Sequence, residues 1–93
     1  ELTKRMAELS GGRVEARMAR LLCKLGDEQG VRRADGLFVP VKLTRQELAD
    51  LCATTIETAI RVMSRWGKED LVRTDRDGFL ILDPAALELV ALS

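Results

Sequence analysis

Glu57 and Arg61 are the residues of this 93-residue chain whose types and spacing indicate the most specific chemistry. At a spacing of i, i+4 their side chains share one face of a helix, where they can also bond to each other. In a DNA major groove, the Glu57 carboxylate could accept from the exocyclic amine of cytosine. The Arg61 guanidinium could donate two hydrogen bonds to guanine O6 and N7. On any other exposed helix the two would form an ordinary ion pair, so the surrounding elements decide between these alternatives.

The sequence predicts that this pair lies on the second of two short helices joined by a tight turn. The first helix begins at Thr44, whose hydroxyl can accept from the Glu47 amide while the Glu47 carboxylate accepts from the Thr44 amide. Such a reciprocal arrangement is a capping box. The expected buried stripe of this helix consists of Leu48, Leu51 and Cys52.

The second helix follows within a few residues, because the same T-x-x-E signal recurs from Thr54 to Glu57. Its inward stripe, at i, i+3, i+4 and i+7, comprises Ala59, Val62, Met63 and Trp66. The opposite face carries Glu57, Ile60, Arg61, Ser64 and Arg65. Two capped helices with so short a connection must cross steeply, which is the helix-turn-helix arrangement.

Residues 43–51 (LTRQELADL), followed by Glu57, Thr58 and Arg61, resemble the DNA-binding domain of the Crp/Fnr regulators, the catabolite-activator superfamily. The resemblance extends over about residues 12–83 and is strongest over residues 43–72. It implies a winged helix-turn-helix whose recognition helix, about residues 55–66, enters the major groove of double-stranded DNA. It also implies that Glu57 and Arg61 contact a G·C pair of the half-site.

The resemblance further assigns residues that would contact phosphates and so position the domain. They are Thr44, Arg45, Gln46, Thr55 and Thr58, with Arg73 and Arg76 from the wing. Arg45 also has a local interpretation as a solvated cation on the first turn of its helix.

Three positions depart from the family pattern. Ile56 and Ile60 complete the candidate base-reading set, and they could contact thymine methyl groups or pack on a neighbouring helix or an apolar partner. Ala53 occupies a turn position where the family usually has glycine. An alanine at positive φ would cost about 1 kcal/mol.

Composition indicates one small domain. The chain has 15 basic and 15 acidic residues, and a net charge of zero counts mildly against nucleic-acid binding. Hydrophobic and charged fractions of 46% and 32% are typical of soluble proteins. The sequence has no long apolar run and no signal peptide, which predicts a cytoplasmic location. Because the first residue is Glu1, we expect a fragment of a longer protein, and the Crp/Fnr resemblance implies that an N-terminal effector-sensing domain is absent from this chain.

Flanking elements are predicted from the same patterns. The Crp/Fnr resemblance implies that residues 1–12 form the tail of a dimerisation helix and a hinge broken by Gly11-Gly12, with residues 13–93 as the winged-helix domain. A frayed leader helix over residues 1–12 is an equally compatible alternative. A helix over 13–25 would end at Gly26 as its C-cap. Its outer row of cations is interpreted mainly as a solvated face, although its first turn could meet phosphate. The row is Arg13, Arg17, Arg20 and Lys24.

Residues 26–36 are predicted to be a loop, and residues 37–43 an extended run that Pro40 restricts to an edge or irregular strand. In the catabolite activators the equivalent loop touches RNA polymerase, which makes the polymerase a candidate partner. Strands over 70–74 and 79–82, joined by a turn at 75–78, would form the wing.

A last helix over residues 85–92 is predicted to begin at Asp83 as N-cap with Pro84 at its first position. Its inward residues are expected to be Leu87, Val90 and Ala91.

The remaining reactive side chains give little support to catalysis. Cys23 and Cys52 have aliphatic neighbours and are interpreted as buried, reduced thiols; a redox or metal role is the alternative. Without histidine, two cysteines cannot supply an ordinary four-ligand zinc site. The sequence has no nucleophile with a base at recognisable spacing. We therefore expect no enzyme activity, no cofactor and no metal site in this domain.

The overall expectation is a mainly α fold with a small β component: a winged helix-turn-helix with a three-helix core, a β-hairpin wing and a short C-terminal helix. Its function would be sequence-specific DNA binding by a bacterial regulator, acting as a homodimer on a pseudo-palindromic operator. The alternative is a winged-helix protein–protein interaction module that uses Ile56 and Ile60. The sequence does not specify the effector, the operator or the direction of regulation.

Overall fold

Four helices and four strands make up the part of the chain that the structure describes. The computed structural model describes the backbone of residues 2–93 and the side chains of residues 14–93. The elements in chain order are α1 (Leu2–Gln29), β1 (Val31–Arg33), β2 (Gly36–Val39), α2 (Arg45–Leu51), α3 (Ile56–Lys68), β3 (Val72–Asp75), β4 (Gly78–Ile81) and α4 (Pro84–Ala91).

The strands form one antiparallel sheet in the order β1-β2-β4-β3. In the predicted wing, β3 pairs with β4 so that Asp75 lies opposite Gly78, and the turn between them is Arg76-Asp77. Strand β2 pairs with the other side of β4, with Phe38 opposite Leu80. The predicted winged helix-turn-helix class is confirmed, and a second hairpin, β1–β2, widens the sheet.

The core lies where the four helices and the sheet meet. Its largest fully buried side chains include Trp66, Phe79 and Met18. All four residues of the inward stripe predicted for α3 are buried, as is Leu87 of α4. Asp83 accepts from the Ala86 amide at 3.2 Å and caps α4 as the sequence predicted.

Helix α1 is longer than predicted at both ends. Its backbone continues through Gly11-Gly12, where a break was expected, and through Gly26, the expected C-cap. Gly26 has a packing role instead, because a Cβ there would lie 2.9 Å from Leu37 Cδ2. The absence of a side chain lets α1 approach β2 closely. The division of the chain at residue 12 stays a prediction, and Arg13 lies outside the described side chains.

The segment predicted as a loop over residues 26–36 contains the end of α1 and all of β1. Every residue of β1 is exposed, so the strand has no alternating apolar pattern that the sequence could reveal. Of the two alternatives expected from Pro40, the edge position is wrong because β2 is an inner strand, whereas the rest of the run, residues 40–43, is irregular. Pro40 lies just beyond the last residue of β2, where no ladder hydrogen bond requires its missing N–H.

Candidate nucleic-acid interface

The start of α2 has the geometry that its sequence predicts. The Glu47 amide donates to Thr44 Oγ1 at 3.0 Å, and the Thr44 amide donates to Glu47 Oε1 at 2.8 Å. This complete capping box fixes the first turn of α2, whose first two residues are Arg45 and Gln46.

The body of α2 is rotated relative to the predicted stripe. Leu48, Ala49 and Cys52 are buried, whereas Leu51 is 61% exposed. Because successive residues are separated by about 100° around a helix, a stripe through residues 48, 49 and 52 leaves residue 51 roughly 100° from its centre. The prediction that Leu51 is buried is therefore wrong, and the small Ala49 takes its place against the core.

The turn between α2 and α3 is held by backbone and side-chain hydrogen bonds. Ala53 has φ 56°, the left-handed conformation expected at this position. The Thr54 amide donates to the Ala49 carbonyl at 2.9 Å. From α1, Arg17 Nε donates to the Cys52 carbonyl at 2.7 Å and Nη2 donates to the Ala53 carbonyl at 3.5 Å. Arg20 of α1 also bonds to the protein, because it donates to the Ala91 carbonyl at 2.8 Å. The row of cations predicted on α1 is therefore not purely a solvated face.

Helix α3 is capped by Thr55, one residue later than the T-x-x-E pattern predicted. Thr55 Oγ1 accepts from the Thr58 amide at 3.2 Å, and the two hydroxyls lie 3.0 Å apart. Glu57 is then the second residue of the helix and cannot return to the cap, so the predicted Thr54–Glu57 capping box is wrong. The helix continues past Gly67 and ends at Lys68.

The outward face of α3 presents the residues that the sequence placed there. Glu57, Arg61, Ser64 and Arg65 are exposed, Ile60 is 48% exposed, and Ile56 is half-buried. Among the described side chains, Arg65 pairs with Glu15 of α1. Glu57 and Arg61 form no salt bridge with each other within the described side chains, so the i, i+4 ion pair is not present and both groups point to solvent.

The candidate phosphate-binding residues at the start of α2 are already engaged within the protein. Arg45 Nη2 donates to Thr74 Oγ1 of β3 at 2.6 Å, and burial lowers the pKa of the Arg45 guanidinium. Gln46 Nε2 donates to Asp50 Oδ1 at 2.9 Å. The contact between Arg45 and Thr74, separated by 29 positions, joins the helix-turn-helix to the wing, and no sequence signal indicates it.

Carboxylates in and beside the wing lie close to two cations, Arg73 of the wing and Lys42 before α2. Arg73 Nη2 lies 3.7 Å from Asp70 Oδ1, and Lys42 Nζ lies 3.8 Å from Asp77 Oδ1. Arg76 is exposed at the tip of the wing. A cavity of about 220 Å³ separates the wing from the start of α2; its lining includes Lys42, Thr44, Glu47, Thr74 and Arg76.

The two cysteines are free thiols. Cys52 is buried, and burial raises the pKa of its thiol, an effect that the nearby Arg17 opposes. Within the described residues, no group of three or more His, Cys, Asp or Glu side chains is placed to hold a metal ion. No helix within residues 2–93 has the length and apolar character needed to cross a membrane.

Comparison with known proteins shows the family to which this arrangement of helices and strands belongs. Residues 16–90 match the model of the Crp-like helix-turn-helix domain. The chain belongs to this family. The resemblance inferred from residues 43–51 and the helix that follows is thus confirmed for the Crp-like domain as a whole.

Relatives of the Crp-like domain include two bacterial regulators. The chain is 34% identical over 61 residues to the anaerobic regulatory protein of Bacillus subtilis, covering 66% of the chain and 26% of that protein. It is 35% identical over 83 residues to the transcriptional regulator LdrP of Thermus thermophilus, covering 88% of the chain and 42% of LdrP. The chain thus spans less than half the length of these relatives.

Solved structures agree on the fold. The CRP-family transcriptional regulator TTHB099 from Thermus thermophilus is 30% identical, with a TM-score of 0.74 over 99% of the chain and 50% of that protein. Oxidized CprK in complex with o-chlorophenolacetic acid gives a TM-score of 0.81 at 18% identity, covering 86% of the chain and 34% of CprK. At that identity the likeness to CprK shows the fold alone.

Proposed function

We propose that this Crp-like domain binds double-stranded DNA with sequence specificity, with α3 as the recognition helix in the major groove. The observation that carries the proposal is the solvent-exposed pair of Glu57 and Arg61 on the first turns of a capped helix, which form no salt bridge with any side chain that the structure describes. The N-terminal part of a recognition helix is the part that reaches base edges. Arg61 would donate to guanine O6 and N7, and Glu57 would accept from the paired cytosine.

Ile56 and Ile60 would complete the base-reading face. Ile60 is about half exposed, which leaves its side chain available to contact a thymine methyl group. Ile56 is half-buried and has less surface to offer. We therefore assign direct apolar readout mainly to Ile60.

Phosphate contacts would come from both sides of α3. Arg45 and Gln46 lie at the start of α2, Thr55 and Thr58 at the start of α3, and Arg73 and Arg76 on the wing. Arg45 now bonds to a neutral hydroxyl. Because a phosphate oxygen accepts a charge-assisted and hence stronger hydrogen bond, Arg45 could exchange Thr74 for DNA. Thr44 would contribute through its position at the same helix start.

At the level of the longer protein, we propose a cytoplasmic bacterial regulator of the Crp/Fnr type. Two copies would place their α3 helices in successive major grooves about 34 Å apart on a pseudo-palindromic operator. The effector-sensing part would lie outside these residues, which is compatible with relatives more than twice as long. RNA polymerase is a candidate partner of the β1–β2 hairpin.

The first experiment is an amide-shift titration of the 93-residue chain with a mixed-sequence DNA duplex at low salt, where non-specific binding suffices to map the surface. We expect shifts clustered at residues 44–46, 54–65 and 73–78 that disappear at high salt. Operator selection from a random pool would follow. The absence of localised shifts at high DNA concentration would overturn the proposal.

Base readout is then tested with Arg61→Ala on the selected duplex. The loss of one bidentate contact, about 1–3 kcal/mol, should weaken binding roughly 5- to 150-fold and relax the preference for the G·C pair. Arg32→Ala is the matched control, because Arg32 is also exposed but lies on β1, the edge strand farthest from the wing strand β3. Equal effects of the two variants would contradict base readout by Arg61.

The second candidate is a protein-binding module, and the exposure of Leu51 and Ile60 favours it. Two large apolar side chains on the same helix pair could contact a partner. In that case, Ile60→Ser would abolish partner binding, whereas Arg61→Ala would leave it unchanged. A DNA titration without localised shifts would make this candidate the stronger one.

A further inference from the structure

Helix α1 contacts the helix-turn-helix through two polar side chains on either side of a buried alanine. Ala16 is fully buried, and its neighbours Glu15 and Arg17 are both partly exposed. Glu15 pairs with Arg65 of α3, while Arg17 donates to the turn that precedes α3. We call Arg17 and Glu15 the two anchors, because Arg17 contacts the turn just before α3 and Glu15 contacts α3 near its end.

The Arg17 anchor meets a part of the backbone that needs hydrogen-bond donors. The last carbonyls of a helix have no intrahelical partners and carry the negative end of the helix dipole. Arg17 supplies donors to the carbonyls of Cys52, the C-cap of α2, and Ala53, the residue at positive φ. A cation therefore binds the strained turn that sets the angle at which α3 begins.

The Glu15 anchor acts near the other end of α3. Arg65 is 47% exposed and lies on the outward face with Arg61, one turn away. Glu15 is less exposed, at 29%, because it is held against the domain. The ion pair thus draws the later turns of α3 towards α1.

We infer that Arg17 and Glu15 are positioning residues for DNA recognition: from α1 they hold the two ends of α3 at the angle that directs Glu57 and Arg61 to the bases. This inference rests on the proposed DNA-binding function. A side chain that only stabilises the fold would change stability, but it would not alter the discrimination between specific and non-specific DNA by the folded protein. A positioning residue changes that discrimination, because base contacts depend on orientation and phosphate contacts tolerate small rotations.

Arg17→Ala is the test variant, and Arg20→Ala is its matched control. Both remove a guanidinium of α1 that donates to a backbone carbonyl, but Arg20 bonds to Ala91 of α4, away from the helix-turn-helix. Affinities for the selected duplex and for a scrambled duplex are measured at a temperature where urea titration shows each variant to be folded. We expect Arg17→Ala to lower specific affinity about tenfold and non-specific affinity by less than about twofold. Arg20→Ala should leave the ratio unchanged.

Two milder variants keep the test decisive if Arg17→Ala does not fold. Arg17→Lys retains the charge and one donor, so it should lose less specificity than alanine. Glu15→Gln removes the ion pair with Arg65 and should lower specific affinity by a few-fold. If Arg17→Lys and Glu15→Gln give the same specific-to-non-specific ratio as Arg20→Ala, the inference is wrong.

A DNA-free measurement separates this inference from the proposed function. Residual dipolar couplings of amides 56–68, referenced to those of α1, report the orientation of α3 in the free protein. We expect Arg17→Lys and Glu15→Gln to change these couplings and Arg20→Ala to preserve them. Unchanged couplings would overturn the positioning role. Changed couplings in a protein that binds no DNA would overturn only the DNA-binding proposal.

Discussion

Among the residues that the structure describes, two non-glycine residues have left-handed backbone conformations, Ala53 at φ 56° and Asp70 at φ 56°. A Cβ in this region is close to the following carbonyl oxygen, and the strain costs about 1–2 kcal/mol for most residues. Asp tolerates the conformation better than Ala because its short polar side chain can bond locally. Ala53 is therefore the more strained of the two, and it lies in the turn that orients α3.

Replacing Ala53 by glycine should stabilise the protein by about 1 kcal/mol, because glycine adopts positive φ without steric cost. The greater freedom of glycine in the unfolded chain offsets part of the gain. Urea unfolding monitored by Trp66 fluorescence measures the difference. Asp70→Gly is the matched control and should gain less. A larger gain at Asp70 than at Ala53 would refute this account of the strain.

At the scale of elements, two T-x-x-E patterns start two helices but cap them differently. Thr44 and Glu47 form the reciprocal box because α2 begins immediately after Thr44. Before α3, the Thr54 amide is instead bonded to the Ala49 carbonyl as part of the turn, so the helix starts one residue later. Thr55 then takes the N-cap position with Thr58 as its partner. The tertiary turn selects which of two adjacent threonines acts as cap.

Thr55→Ala should therefore cost about 1 kcal/mol, since it removes the hydroxyl that accepts from the Thr58 amide. Thr54→Ala, its neighbouring control, should change the free energy of unfolding by less than about 0.5 kcal/mol. Both values come from urea unfolding, and hydrogen exchange at residues 57–59 should accelerate only in the Thr55 variant. Equal costs at the two positions would show that the cap is assigned to the wrong threonine.

At the scale of the whole molecule, packing sets the ionisation of both thiols. The pKa of Cys52 is raised by burial in the core, with Arg17 acting in the opposite direction. The pKa of Cys23 is raised by burial and then by the negative charges of Glu88 and Asp27. Asp27 lies on α1, four residues after Cys23, but Glu88 reaches Cys23 and Arg17 reaches Cys52 only because α1 packs against α4 and against the end of α2.

Because folding raises the pKa of the Cys52 thiol, the free energy of unfolding should decrease as the pH becomes alkaline. The neutral thiol of Cys52 is favoured in the folded state. Its contribution to the free energy of unfolding is therefore fully present below the ordinary thiol pKa of about 8.5. It is lost as pH rises from there through the higher folded-state pKa, because the unfolded chain releases its proton first. Urea unfolding in reducing buffer between about pH 7 and pH 10 should show this decline.

Cys52→Ala should reduce the alkaline decline in stability relative to the wild type. Cys23→Ala serves as the comparison, because it removes the other thiol whose pKa is raised. The difference between wild type and variant isolates the contribution of the Cys52 thiol to the free energy of unfolding. Identical pH profiles for the wild type and Cys52→Ala would contradict the burial effect.

The sequence by itself determined the features whose partners lie within about four residues. The Thr44–Glu47 box, the inward stripe of α3, the wing turn at 75–78 and the Asp83 cap all depend on local geometry, so spacing alone predicts them. The sequence of residues 43–51, together with Glu57, Thr58 and Arg61, was likewise sufficient to recognise the Crp-like domain.

Only the tertiary structure decided features that depend on distant partners. The exposure of Leu51 follows from the rotation of α2 against the core. Gly26 lies inside α1 rather than at its end, and Leu37 packs where a side chain at position 26 would be. The contacts of Arg17 with the Cys52 carbonyl and of Arg45 with Thr74 join residues 35 and 29 positions apart. No local pattern encodes such pairs, because an arginine selects its acceptor only after the packing of helices and sheet has placed one within reach.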